Sequence, residues 1–283
     1  MAAYLRPTSI DAALRALASR PLIVLAGGTD FYPARVGCPL DEDVLDITAI
    51  AGLRGVADAG DHWRIGATTT WADVAESDTP PLFDGLKRAA REVGGAQIQN
   101  AGTVAGNLCN ASPAADGVPP LLSLDAAVEL ASQDRTTVVP LADFILGNRR
   151  TRRAPGELVT AIRVPKPRAP RAAGHFVKLG ARRYLVISIV MVAAAIECDQ
   201  AGRVTRAGVA VGACSEVARR LPELEAALLG HPADTTLGER VMPRHLAALA
   251  PIDDVRASAE YRGDAALTVV RRALAELGAT VSS

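Results

Sequence analysis

The sequence predicts an α+β protein of two domains, and three observations carry that expectation. A chain of 283 residues is long enough for about two independent cores. Pro165, Pro167 and Pro170 alternate through PKPRAP, an interval hostile to helix and central strand alike, because each proline fixes φ and lacks an N–H. Before it, short apolar strands interleave with Ala/Leu-rich helical segments. After it, an antiparallel meander precedes three more helical segments. Residues 1–165 are therefore expected to form one domain and residues 171–283 a smaller α+β domain.

Taken in order, Thr8-Ser9-Ile10-Asp11 has the spacing of a helix cap, and DAALRALAS continues the helix until Pro21. Leu22–Leu25 reads as a strand buried on both faces, running directly into Ala26-Gly27-Gly28-Thr29-Asp30. Val44–Ile47 and Trp63–Thr68 read as further strands, with Thr69 and Thr70 leading to a short helix at Trp71–Glu76. Leu82–Val93 has helical spacing. Gly94–Leu124 packs Gly, Asn, Thr, Ser and Pro with no regular apolar period, so it is expected to be a shaped loop. Ala127–Ala131 and Thr136–Val139 form a hairpin pair, and ELVTAIRV (157–164) alternates as a strand. Beyond the prolines, His175–Leu179 and Ile187–Cys198 read as strands, and a turn at Asp199–Gly202 leads into Arg203–Ala213. Segments near Leu221–Leu229, Leu237–Leu249 and Ala265–Leu277 read as helices.

The composition narrows the function. Hydrophobic residues are 49% and charged residues 22%, a globular balance. Lys+Arg and Asp+Glu are both 31, so no charge excess calls for nucleic acid. Cys38, Cys109, Cys198 and Cys214 show no CxxC spacing, which fits a reducing cytoplasm better than a zinc site or a disulfide framework. The N-terminus lacks a basic segment followed by an apolar core, so no signal peptide is expected. The most apolar run, Tyr184–Ile196, falls short of the roughly twenty residues that span a bilayer. Arg149–Arg171 is a basic run containing one acid, Glu157, and reads equally as a phosphate or acidic-partner dock and as a solvated face. His62, His175, His231 and His245 are scattered without evident acidic or thiol partners, and are read as structural.

Two stretches are candidate ligand sites. The long Gly94–Leu124 run offers small backbones at Gly102 and Gly106, and short polar side chains at Thr103, Asn107, Asn110, Ser112 and Asp116. Such a chain can lie close against a polyanionic or polyhydroxylated ligand. The GGTD turn lets main-chain N–H groups converge on an anion, although taken alone it is better read as an ordinary tight turn, since the sequence has no GxGxxG or GxxxxGK(S/T) pattern. A branched side chain at Gly27 or Gly106 is expected to fill the space the anion would occupy.

These stretches, together with YLRPTSIDAAL, IGATTTWADV, GELVTAIRVP, FVKLGARR and Tyr261-Arg262, occur in an order that resembles the FAD-binding medium subunit of the molybdenum hydroxylases, the family of xanthine dehydrogenase and carbon monoxide dehydrogenase. The resemblance runs almost the full length. It implies non-covalent FAD enclosed by two N-terminal α/β subdomains (about 1–55 and 56–165), followed by the smaller C-terminal domain. Carried over by position, Ala26, Gly27, Gly28, Thr29 and Asp30 would hold the pyrophosphate. Thr103, Val104, Ala105, Gly106 and Asn107 would wrap its other side and the ribityl chain, and Asp116 would accept from sugar or ribityl hydroxyls. Val159 and Lys178 match further FAD contacts, while Val93 and Ile187 match positions flanking the isoalloxazine ring. The resemblance also implies an iron–sulfur small subunit with [2Fe-2S] clusters and a molybdopterin large subunit as partners, assembled as a dimer of heterotrimers. Electrons would reach an external acceptor through FAD, with no catalytic acid or base in this chain.

Three positions depart from the family pattern: Ala105 replaces a glycine, Gln99 a basic residue, and Val186 an aspartate near the flavin. Loss of that carboxylate is expected to change flavin potential or acceptor choice. Two alternatives stay open. A free-standing flavin oxidoreductase would need a base and an aromatic pocket, against an aromatic content of 4%. A structural subunit that has lost FAD would explain the three departures.

Overall fold

The computed structural model of the chain describes residues 2–282. Three main sheets of increasing regularity follow one another along it, with a small two-stranded ribbon of Ile145–Gly147 and Arg150–Thr151 besides. The first is small and parallel, with Val44–Asp46 between Tyr4–Leu5 and Ile23–Leu25. Helix Ile10–Ser19 covers it, started by the Ser9 hydroxyl, which accepts from the Ala12 N–H, and packed through Ala13, Leu14 and Leu17.

The second sheet has five strands in the order Val56–Asp58, His62–Gly66, Leu158–Pro165, Ala127–Ala131 and Thr136–Pro140, every pair antiparallel. The alternation of ELVTAIRV does not mark a solvent face. Its strand is central and almost wholly buried, and its polar positions meet a buried network instead. Glu129 accepts from the Thr160 hydroxyl at 2.7 Å and from Arg163 Nε at 2.8 Å. Pairing of this kind is what keeps a buried carboxylate tolerable.

The third sheet is an antiparallel meander of Arg171–Leu179, Val190–Cys198, Val204–Gly212 and Arg219–Arg220. Its second strand is buried at every position. Helices Pro222–Leu228 and Ala259–Ser282 pack on it to form the C-terminal core. The chain is thus two N-terminal subdomains followed by a smaller C-terminal α+β domain. The domains meet backbone to backbone. A Cβ on Gly208 would lie 2.1 Å from Ser123 O, and one on Gly174 2.3 Å from Leu82 O.

Several expectations are corrected. Gly94–Leu124 is no irregular loop but three short helices, Ala96–Ala101, Val104–Asn110 and Val118–Ser123. Pieces of six or seven residues make too few turns to display a 3.6-residue period, and tertiary burial rather than propensity holds them. The third begins with prolines in its first turn, where a missing N–H costs nothing. Leu237–Leu249 is two 3₁₀ turns, Thr235–Arg240 and Pro243–Leu246, because Pro243 ends the first segment and opens the second. The first meander strand starts earlier, at Arg171, and the second later, at Val190. Ile23 and Val24 are only half-buried, since they line a cavity rather than a packed core.

Candidate FAD-binding site

The cavity, of about 790 Å³, lies between the first two sheets and is also lined by Leu185–Ile187, which precede the second strand of the third. That volume falls within the range of small-molecule and cofactor sites. Its architecture starts at the end of Ile23–Leu25, where the chain turns through Gly28 in a left-handed conformation, φ 71°. The turn is closed by Tyr32 N–H donating to Gly28 O at 3.1 Å. Among the described residues, the main-chain N–H groups of Gly27, Gly28, Thr29, Asp30 and Phe31 donate to no other group of the chain. A run of unspent donors around a concave turn is a site for anionic oxygens.

The second bend is built from the IGATTTW segment upward. Thr70 caps helix Trp71–Glu76 through a reciprocal box with Asp73. Trp71 N–H donates to Gly102 O at 3.1 Å, and Val104 N–H to Thr69 O at 3.0 Å. The buried Trp71 ring underlies Gly117, where a Cβ would come within 2.3 Å of it. The Thr103 hydroxyl accepts from Gly106 N–H at 3.0 Å, and Asn107 Oδ1 from Gly117 N–H at 3.3 Å.

The two bends pack directly on each other. A Cβ on Gly27 would stand 1.9 Å from Ala101 O, and one on Gly102 3.4 Å from Thr29 Oγ1. The effect expected of a branched residue at Gly27 or Gly106 therefore has a different cause. The Gly27 side chain would strike Ala101, and that of Gly106 the Thr103 hydroxyl at 2.8 Å; each damages the junction instead of filling the ligand space.

Of the fifteen candidate residues, Ala26, Gly27, Gly28, Thr29, Asp30, Val93, Thr103, Ala105, Gly106, Asn107, Asp116, Val159 and Ile187 line this cavity. Two do not. Val104 is turned into the core. Lys178 stands behind the wall, its Nζ donating to Asp116 Oδ2 at 2.8 Å and to Glu92 O at 3.3 Å. Ala105 needs no left-handed backbone, because it sits in the first turn of helix Val104–Asn110. Gln99 is away from the lining and donates to Arg91 O at 3.0 Å. Val186 does line it, beside Leu185 and Ile187.

The charged lining residues are Asp30, Asp116 and Arg153. Burial raises the Asp116 carboxyl above its usual range, against the opposing pull of Lys178 and Ser188. Burial also pushes the Cys109 thiol up to about 11. It is therefore a neutral wall group at pH 7 rather than a nucleophile that could tether a flavin. Arg153 and Leu185 escaped sequence reasoning. Nothing local separated Arg153 from the surrounding basic run. The histidines are not all unpartnered: His175 Nε2 lies 2.7 Å from Glu276 Oε2, and His62 Nδ1 2.6 Å from Asp61 Oδ1. Neither histidine lines the cavity. No three His, Cys, Asp or Glu side chains cluster as a metal site among the described residues.

A turn of free N–H donors, a polar second bend and an apolar far wall define a dinucleotide-binding flavoprotein fold. Residues 1–167 match the FAD binding domain in molybdopterin dehydrogenase, and residues 175–277 the CO dehydrogenase flavoprotein C-terminal domain. The chain is 30% identical over 283 residues to the 6-hydroxypseudooxynicotine dehydrogenase complex subunit alpha of Paenarthrobacter nicotinovorans, covering 96% of this chain and 93% of that one. It is 30% identical over 281 residues to the carbon monoxide dehydrogenase medium chain of Afipia carboxidovorans, covering 96% and 94%. Reconstituted CO dehydrogenase from Oligotropha carboxidovorans superposes with a TM-score of 0.87 at 28% identity, over 98% of both chains. The chain belongs to the FAD-binding medium subunits of the molybdenum hydroxylase family, and is an oxidoreductase subunit.

Proposed function

We propose that this chain is the electron-transfer flavoprotein subunit of a heteromeric molybdenum hydroxylase, taking electrons from an iron–sulfur partner and delivering them to an external acceptor. The observation that carries the reading is the junction of the two bends around a single cavity, with five consecutive unspent N–H donors on one side. The residues fit the cofactor. Gly27, Gly28, Thr29, Asp30 and Phe31 present donors for the pyrophosphate, with Ala26 beside them. Thr103, Ala105, Gly106 and Asn107 form the opposite bank, and Asp116 offers acceptors to ribityl or ribose hydroxyls. Val159 belongs to the apolar wall, and Val93 and Ile187, which line the same cavity, would flank a planar ring. When bound, FAD supplies the redox chemistry, and the chain fixes its position and electrostatics.

The wider assembly is part of the same proposal: an iron–sulfur small subunit, a molybdopterin large subunit, and a dimer of such heterotrimers. Relatives named as medium chains and complex subunits support it. Four unpaired cysteines support a cytoplasmic setting. No described helix is long and apolar enough to cross a membrane. A division at 165–171 is supported by the adjoining strands Leu158–Pro165 and Arg171–Leu179, which belong to different sheets.

The test is native purification of the chain with whatever accompanies it, followed by visible spectroscopy and flavin, iron and molybdenum analysis. Stoichiometric FAD and two metal-bearing partners are the expected result. A colourless chain unable to take up FAD, or an isolated chain that oxidises an organic substrate by itself, would overturn the proposal.

A further inference from the structure

Among the described residues, Asp116 is the one buried carboxylate lining the cavity, and its two oxygens are committed to different residues of the C-terminal region. Lys178 Nζ donates to Oδ2 at 2.8 Å. The Ser188 hydroxyl donates to Oδ1 at 3.0 Å. Ser188 is itself buried, 2% exposed, and directly follows Leu185–Ile187, which line the cavity. That run enters the meander when Ile189 N–H donates to Leu179 O at 2.8 Å. An ionised carboxylate offers about four acceptor positions. Two are filled here, leaving acceptor capacity on a residue that lines the cavity.

We infer that Ser188 is a positioning residue for the cofactor: its hydrogen bond to Asp116 keeps that carboxylate oriented, with acceptors open to vicinal hydroxyls of a bound polyol, and ties the 185–187 wall across the cavity. This inference rests on the proposed FAD site and extends it to a residue that touches the ligand only through another. Lys178 alone would hold one oxygen and leave the carboxylate free to swing about that contact. The hydroxyl supplies the second fixed point. The charged groups facing Asp116 are Lys178 from strand Arg171–Leu179 and Glu92 at the end of helix Asp84–Glu92. Residues 185–189 bring no ionisable group, so the serine orients Asp116 without altering the local charge.

The experiment titrates FAD into the deflavinated full-length chain, wild type and Ser188→Ala, from pH 5 to 8, with melting of the apo chains alongside. Loss of a hydrogen bond to a charged group should weaken FAD binding about tenfold at pH 7. Removing a donor from the carboxylate favours its protonated form. Affinity in the variant should therefore fail at a higher pH than in wild type as the solution is acidified. Equal affinity and an unchanged acid limb would overturn the inference. So would a uniform loss at every pH with lowered apo melting, since that marks a packing defect. If wild type itself takes up no FAD, it is the proposed function that falls.

Discussion

The two bends that meet in the cavity spend their main-chain donors in opposite ways. From Gly27 to Phe31 the N–H groups are left over. Those of Val104, Gly106 and Asn107 are consumed at home, by Thr69 O, the Thr103 hydroxyl and Thr103 O. The first bend is thus chiefly a receptor surface and the second chiefly a scaffold held together by its own bonds. Both are glycine-rich, so composition alone cannot separate the two roles; the destination of each N–H can.

The comparison is most sharply broken at the point of contact. Gly27→Ala places a methyl 1.9 Å from a main-chain oxygen, which no rotamer change relieves, so the bends must part. We expect FAD affinity to fall by at least about a hundredfold, measured by flavin fluorescence on refolded apo chain. Retention of stoichiometric FAD would show that the bends need not touch. Gly28→Ala should act more mildly. Its Cβ meets the Tyr32 ring at 2.7 Å, which can swing away, leaving mainly the left-handed cost of about 1 kcal/mol, or roughly fivefold in affinity. Thr103→Ala tests the scaffold side. Losing a helix cap costs about 1 kcal/mol, so melting should drop by about 2–4 °C in the apo chain, with FAD affinity altered less than by Gly28→Ala. A reversed ranking would mean that the second bend is the one that grips. Smallest is the effect at Cys109. With its thiol held at about 11, iodoacetamide should label it far more slowly at pH 8 than exposed Cys38, and faster by about tenfold per pH unit up to that value. Comparable labelling at pH 8 would contradict a half-buried, neutral wall group.

How far the sequence could be read follows from the range of the forces involved. Leu22–Leu25 running into Gly27-Gly28 was legible because an apolar strand and a left-handed turn are local matters. The second bend was recognisable as a site from its small polar residues. Its helices were not, since each is too short to show periodicity and is stabilised by contacts with Thr69, Trp71 and the C-terminal sheet. Asp116 could be picked out by type and place, whereas its partners Lys178 and Ser188 lie 62 and 72 residues away. No spacing rule reaches so far. Arg153 failed for another reason: a cation inside a cavity and a cation in water look identical until the fold separates them.

The outer wall of the cavity, Leu185–Ile187, comes from beyond the residues that form its floor and both bends. A nascent chain emerging from the ribosome can pair its first two sheets and join Gly27 to Ala101 with more than a hundred residues still to be made. Until the stretch around Ser188 has emerged, that basin stays open on one side. Capture of the coenzyme is accordingly expected late in biogenesis, and a translation product cut short before this stretch should leave the ribosome without its colour.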